Sequence, residues 1–352
     1  MHRLAVAGQQ PLIARNVGDR VCLVWLRTSR FAAVKAMTTA TLALGPDANA
    51  LSARGWARSS TGRPWLALED YQQALTLYQE AGDRAGEATT LHNIGGVYHR
   101  LGDRQRALDH LDQALRIRRE GGDRAGEAAT LSSIGGVYGR LGDRQRALDY
   151  LHQALPIRRE VGDRAGEAAT LNNIGHEYDA LGDRQQALDH HHQALPIRRE
   201  VGDRAGEAVT LNNIGHVYDR MGDRQRALDH YHQALPIERE IGDRAGEAVT
   251  LNNIGHAYHG LGDRQQALDH YHQALPIRRE VGDRAGEAVT RYNIAMIHQA
   301  DGDLEQAIRE LEHVVDLDRQ VDDPDLEADT AVLEQLRRQH AEDGGTEVPS
   351  GS

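Results

Sequence analysis

Cysteine is almost absent from this chain of 352 residues, where Cys22 stands alone. One thiol excludes a disulfide framework and a thiolate cluster for zinc, and a reducing cytoplasm is the simplest expectation. Long apolar runs are missing too. Leu4 to Gly8 is too short for a signal-peptide core, and Val21 to Leu26 is far too short to span a bilayer. Basic residues are outnumbered, giving a net charge of -12, which disfavours nucleic-acid phosphates and anionic membrane surfaces as partners. Lys35 is the only lysine beside forty arginines, a bias that reads as the codon usage of a GC-rich bacterium. The sequence carries no phosphate-cradling GxxxxGK[ST], no GxSxG elbow, no HExxH and no paired carboxylates at a unique position. Neither an enzyme nor a cofactor is expected from such a chain.

What the chain does have is repetition. Residues 201–240 and 241–280 differ at only seven positions, so the sequence repeats with a period of 40. Inside the unit, Leu211, Ile214, Gly215 and Tyr218 fall at i, i+3, i+4 and i+7 along one stripe of a helix, helix A. Met221, Gly222 and Asp223 interrupt it, with glycine suited to terminate one helix and aspartate to cap the next. Ala227, Tyr231, Ala234 and Leu235 then form the stripe of helix B, and Gly242 with Asp243 closes the unit. A single hairpin leaves an apolar face bare, so units must stack, with Gly215, Ala227 and Ala234 allowing close approach.

The spacing Leu211, Ile214, Gly215, Tyr218, Ala227, Tyr231, Ala234 resembles the signature of the tetratricopeptide repeat, recurring in six successive units. The proline that usually closes a 34-residue repeat is absent, and six further residues lengthen the unit to 40. This resembles the longer repeats of kinesin light chains, spindle-orientation adaptors and bacterial arrays attached to signalling ATPases. The resemblance implies an all-α, right-handed superhelical solenoid of antiparallel helix-turn-helix units, with the A helices lining a concave groove.

Taken in order, residues 1–46 read as a poorly defined N-terminal helical segment, with Val21 to Leu26 favoured as helix and Phe31 to Leu44 as a worn second helix ended by Gly45 and Pro46. Residues 47–80 read as a degenerate unit and N-terminal cap, in which Arg54 and Arg58 replace the usual Ile and Tyr and would tolerate water. Six clear units occupy 81–320, a capping helix 321–340, and an acidic, then Gly- and Ser-rich tail, expected to be disordered, 341–352. Pro156, Pro196, Pro236 and Pro276 sit inside helix B, where a proline costs ~3 kcal/mol on host-guest scales and predicts a kink or local break. Arg116 and Asp316 hold that slot in the first and last clear units, where straighter helices are expected.

Opposite the core stripe, Val209, Asn213, His216 and Arg220 form a second row. The resemblance implies that this row faces the groove and that its amides bond the backbone of an extended or helical peptide, which suits a group carrying both donor and acceptor. The amide slot reads Asn93, Ser133, Asn173, Asn213, Asn253 and Asn293, and three residues on the slot reads Gly96, Gly136, His176, His216, His256 and Met296. With His176, His216 and His256 alike, recognition there would be backbone-directed or repetitive, and selectivity would come from the divergent ends, His92, Ser132, Tyr292 and Met296. The sequence therefore predicts a non-catalytic scaffold for a protein or peptide partner. A sensor module of a signalling ATPase or transcription regulator and a self-associating repeat protein remain alternatives. The 19 histidines suggest a metal site, but those in helix B point apart or stand a helix-pair width from their counterparts, so no metal is expected. Rows of like histidines would instead charge together below pH ~6.5 and loosen the array.

Overall fold

The computed structural model describes residues 1–345, which form 18 α-helices and no strand. They fall into two compact units, Met1–Leu181 and a second that starts at Gly182. In the first, α1 (His2–Ala7), α2 (Pro11–Arg27) and α3 (Phe31–Leu42) precede α4 (Ala48–Ser60), α5 (Pro64–Ala81), α6 (Arg84–Arg100), α7 (Arg104–Glu120), α8 (Arg124–Leu141), α9 (Arg144–Glu160) and α10 (Arg164–Leu181). In the second are α11 (Arg184–Glu200), α12 (Arg204–Arg220), α13 (Arg224–Ile241), α14 (Arg244–Gly260), α15 (Arg264–Val281), α16 (Arg284–Ala300), α17 (Leu304–Val321) and α18 (Leu326–Gly345). Within each unit, every helix packs on the next, and A helices touch A helices of neighbouring hairpins, as with α6 and α8 or α12 and α14.

The Gly-Asp-Arg segments set these boundaries. Gly142 and Gly222 take left-handed φ of 82° and 84°, which a side chain would strain. The following aspartate caps the next helix: Asp123 Oδ1 accepts from the Gly126 amide at 2.9 Å and Asp143 Oδ1 from the Arg146 amide at 3.1 Å. The arginine after the cap closes its own hairpin, and an arginine from the hairpin before joins it on the same carboxylate. Arg124 donates to Glu127 at 2.6 Å and across to Glu160 at 2.7 Å, while Arg119 reaches Glu127 from the preceding B helix at 2.8 Å. Burial alone would push the Glu127 carboxyl up, but bonds from Arg119 and Arg124 hold it below the usual range.

Leu211, Ile214, Gly215, Ala227, Tyr231, Ala234 and Leu235 are buried. Tyr218 is only half-buried; Val217 fills the core in its place, and the Tyr218 ring stacks on His230 at 5.6 Å. A Cβ on Gly215 would lie 2.6 Å from Tyr231 Cε1, so the ring opposite dictates the glycine. A second regularity ties hairpins together. The residue before the groove amide bonds the threonine 38 positions on: His92 to Thr130 at 3.3 Å, Ser132 to Thr170 at 3.4 Å and Asn212 to Thr250 at 2.7 Å.

Several expectations need correction. Residues 47–80 are not the terminal unit, because α3 packs against α4. Arg54 and Arg58 are not in water either; both pair with Asp70, at 2.6 and 2.8 Å, and Asp70 is 1% exposed. The lost Ile and Tyr are thus replaced by two half-buried arginines paired with one buried carboxylate. The prolines do not break helix B. α9, α11, α13 and α15 run through Pro156, Pro196, Pro236 and Pro276, which are exposed, so the carbonyl deprived of its donor can bond water. The C-terminal helix begins at Leu326 and ends at Gly345, past the expected limit, and its Glu327 and Thr330 stand in the slots of Glu287 and Thr290, so it is in register with an A helix. Of the tail expected to be disordered, 341–345 are helical and 346–352 lie outside the described residues.

Candidate functional site

In the first unit, the slots singled out from the sequence line three adjoining cavities along α4, α6, α8 and α10. The first, of about 320 Å³, is apolar on most of its wall and is bounded by Leu23, Leu26, Trp56, Tyr78 and Asn93. Its polar edge is tied down, since Tyr78 donates to Asn49 at 2.6 Å and Asn49 to Asp19 at 2.9 Å. The second, about 600 Å³, shares Trp56 and Asn93 and extends past Gly96 to Ser133 and Gly136. The third, about 450 Å³, shares His99 and Gly136 and reaches Asn173 and His176. Space is available because of glycine: a Cβ on Gly136 would meet nothing within 4 Å, and one on Gly96 only Arg100 Nη1 at 4.0 Å.

Trp56 is the residue that sequence reasoning missed. It lies forty residues before Gly96, so it begins the row Trp56, Gly96, Gly136, His176, and it is 47% exposed. Sliding the period one unit further back would have found it.

In the second unit, Asn213, Asn253 and Asn293 are half-buried on α12, α14 and α16, and His216, His256 and Arg220 are exposed on the same helices. Tyr292 does not join them. It lies one residue earlier in the register, packs against the core of the last hairpin and lines a separate cavity beside Asp318.

The three row histidines are not equivalent. His256 Nδ1 meets Asp219 at 2.9 Å, a bond that raises its pKa above 6.5 while keeping the Asp219 carboxyl low against the effect of burial. His176 Nδ1 lies 3.5 Å from Glu177. Glu177 occupies a core slot that is Val97, Val137 and Val217 elsewhere; it is met by Arg144 at 2.9 Å, and a Cβ on Gly139 would lie 2.5 Å from it. The like-charge repulsion expected of this row is therefore opposed at His256, which is stabilised by protonation. The acid-sensitive histidines lie elsewhere. Burial lowers His92 to about 4, with Arg118 and Arg158 adding to it, and burial also lowers His99, His230, His259 and His270.

Four helix B histidines are built into the packing. His110, His230 and His270 stack on Tyr98, Tyr218 and Tyr258 at 5.5 to 5.6 Å, and His191 fills the core slot that Tyr231 holds in the next hairpin. Among the described residues no three His, Cys, Asp or Glu side chains converge as metal ligands. No helix among them is long and apolar enough to cross a membrane.

With the hairpins and their register established, the comparison with known families is decisive. The tetratricopeptide-repeat profile matches residues 47–120, 86–160, 126–200, 166–240, 206–280 and 246–320. The chain belongs to the tetratricopeptide-repeat family. Among curated proteins the sequence finds no match. Among solved structures, the chain is similar to a Signal Transduction ATPase with Numerous Domains protein from Pyrococcus horikoshii that has a tetratricopeptide-repeat sensor, with a TM-score of 0.70 at 16% identity over 93% of this chain and 51% of that one. The apo form of RapI gives 0.62 at 18% identity over 77% and 97%. A Rap protein complexed with Competence and Sporulation Factor gives 0.61 at 15% over 93% and 99%. At these identities the likeness is one of fold, and these tetratricopeptide hairpins share it.

Proposed function

We propose that this chain is a non-catalytic scaffold that captures an extended segment of a partner protein on the A-helix face. In the first unit the segment would lie along Trp56, Gly96, Gly136 and His176, with Asn93 and Asn173 bonding its main chain. The second unit repeats only the amides, Asn213, Asn253 and Asn293, with His216, His256 and Arg220 beside them and imidazole where the first unit has its open glycine slots. The observation that carries this reading is the run of adjoining cavities, which share Asn93 and then Gly136 and reach Asn173. An apolar cavity beside Trp56 suits a bulky side chain, and the amides suit peptide groups. The Rap complex supports a binding role for this fold. The likeness to the repeat sensor of the signalling ATPase favours, as a second reading, a regulatory module that binds its partner through the same face.

The test is a displayed random-peptide selection against the full chain, followed by titration of the selected peptides. Gly136→His installs the residue that units three to five carry in this slot, in open space, and should weaken binding at least tenfold without unfolding the chain. Asn93→Ala with Asn173→Ala should do the same. Gln113→Ala, on the exposed face of α7, should leave affinity unchanged. Equal affinity for all four proteins would refute the site.

A further inference from the structure

The last hairpin breaks the pattern at one charged slot. Two residues before the end of each unit stand Arg118, Arg158, Arg198, Glu238, Arg278 and then Asp318. The arginines reach the A helix that follows. Arg118 donates to the Gly126 carbonyl at 2.6 Å and to Thr130 at 2.7 Å, and Arg278 pairs with the capping Asp283. Glu238, the other acid in the series, accepts from Asn212 at 2.8 Å and Thr250 at 2.9 Å. Asp318 has neither solution. Tyr292 stands in the slot of Asn212, and Thr330 turns back to the Leu326 carbonyl at 2.7 Å.

Acids surround it instead. Asp323 is in register with the caps, and Asp325 and Asp329 follow on the approach to α18 and in its first turn. Asp318 is 2% exposed, yet its Oδ2 has no hydrogen-bond partner, and it lines a cavity of about 310 Å³ with Tyr292 and Val289 on the wall. Two ionised carboxylates cannot donate to each other. Burial, with Asp329 alongside, accordingly pushes the Asp318 carboxyl well up. The site has the acceptors of the other hairpins and lacks their guanidinium.

We propose that this cavity receives a guanidinium group, the arginine side chain of a partner segment, paired with Asp318 and Asp329 and packed against Tyr292. Planar bidentate recognition of carboxylates favours guanidinium over ammonium. The array supplies its own precedent, since Arg278 occupies the equivalent place one hairpin earlier. No three carboxylates here are arranged as metal ligands. The inference relies on the scaffold reading only for the origin of the arginine, so its failure would leave the A-helix face untouched.

The experiment is a titration of the full chain followed by backbone amide shifts, using N-acetyl-arginine amide, N-acetyl-lysine amide and calcium chloride in separate arms. The arginine probe should shift the amides of Ala288, Tyr292 and Ala328 to saturation, at least tenfold more tightly than the lysine probe. Asp318→Asn and Asp318→Arg, the latter restoring the residue of the other units, should abolish those shifts while leaving the rest of the spectrum in place. Asp329→Asn, at a half-buried position, provides the same readout if either variant fails to fold. Arginine shifts scattered over the acidic surface, shifts surviving in the variants, equal affinity for lysine, or saturation of the same amides by calcium at lower concentration would each overturn the assignment.

Discussion

Gly135 and Gly136 are neighbours on α8, and the packing predicts opposite fates for them on substitution by alanine. A Cβ on Gly135 would sit 2.9 Å from Leu151 Cγ and 3.1 Å from the Ala147 carbonyl oxygen, atoms that cannot swing aside, whereas one on Gly136 meets nothing within 4 Å. Both changes gain about 1 kcal/mol from helix propensity. Only Gly135→Ala adds an overpacking cost, about 1 to 3 kcal/mol for an extra methyl in a filled core. Gly136→Ala should therefore stabilise by about 1 kcal/mol, and Gly135→Ala should be neutral to destabilising by about 2 kcal/mol. Their difference cancels the propensity and isolates the packing. Stability is a sum over hairpins in such an array, so amide hydrogen exchange on α8 and α9 is the right assay, with urea unfolding as a global check. Two alanines that stabilise α8 equally would refute the claim that A and B helices meet in van der Waals contact at this slot.

Acid should destabilise the fold through His92. Its folded pKa of about 4 lies below the ordinary 6.5, so below pH 6.5 the unfolded chain takes up a proton that the folded chain refuses, and stability falls until about pH 4. The loss is at most about 3 kcal/mol at 1.36 kcal/mol per unit, and His92→Asn, the residue of later units, should flatten thermal midpoints measured between pH 7.5 and 4.5. His256 works in reverse: its raised pKa contributes stability that is complete below pH 6.5 and lost as pH rises through the folded value, so His256→Ala should destabilise more at pH 5.5 than at pH 8. Asn212→Ala removes donors from Thr250 and from the 3% exposed Glu238 and should cost about 1 to 3 kcal/mol in urea unfolding, with Glu238→Arg restoring most of it.

The period carried most of the architecture into the sequence. Leu211, Ile214 and Ala227 repeat at helical spacing because each hairpin must hide the same stripe, and the Gly-Asp pairs mark helix ends because both backbone groups and caps need them. What the period could not show was how irregular residues are compensated at a distance. Arg54 and Arg58 look like surface wear until Asp70 is found beneath them, and the prolines look disruptive until they prove to be on the wet side of helix B. The histidines were hardest to read from sequence, since stacking on tyrosine, core filling at His191 and pairing of His256 with Asp219 all depend on neighbours from other helices. The row of amides was legible as a row; the cavities beside it depended on Trp56 and on glycines whose lack of a side chain only coordinates turn into space.

The central claim is that the A-helix face takes up a partner segment. It is tested most directly by photo-crosslinking a selected peptide that carries a benzophenone to the native chain and mapping the attachment points by mass spectrometry. The account predicts adducts at Asn93, Gly96, Ser133, Gly136, Asn173 or His176. Adducts confined to the exposed side of the B helices, at Gln113, Gln153 or Gln193, would contradict it.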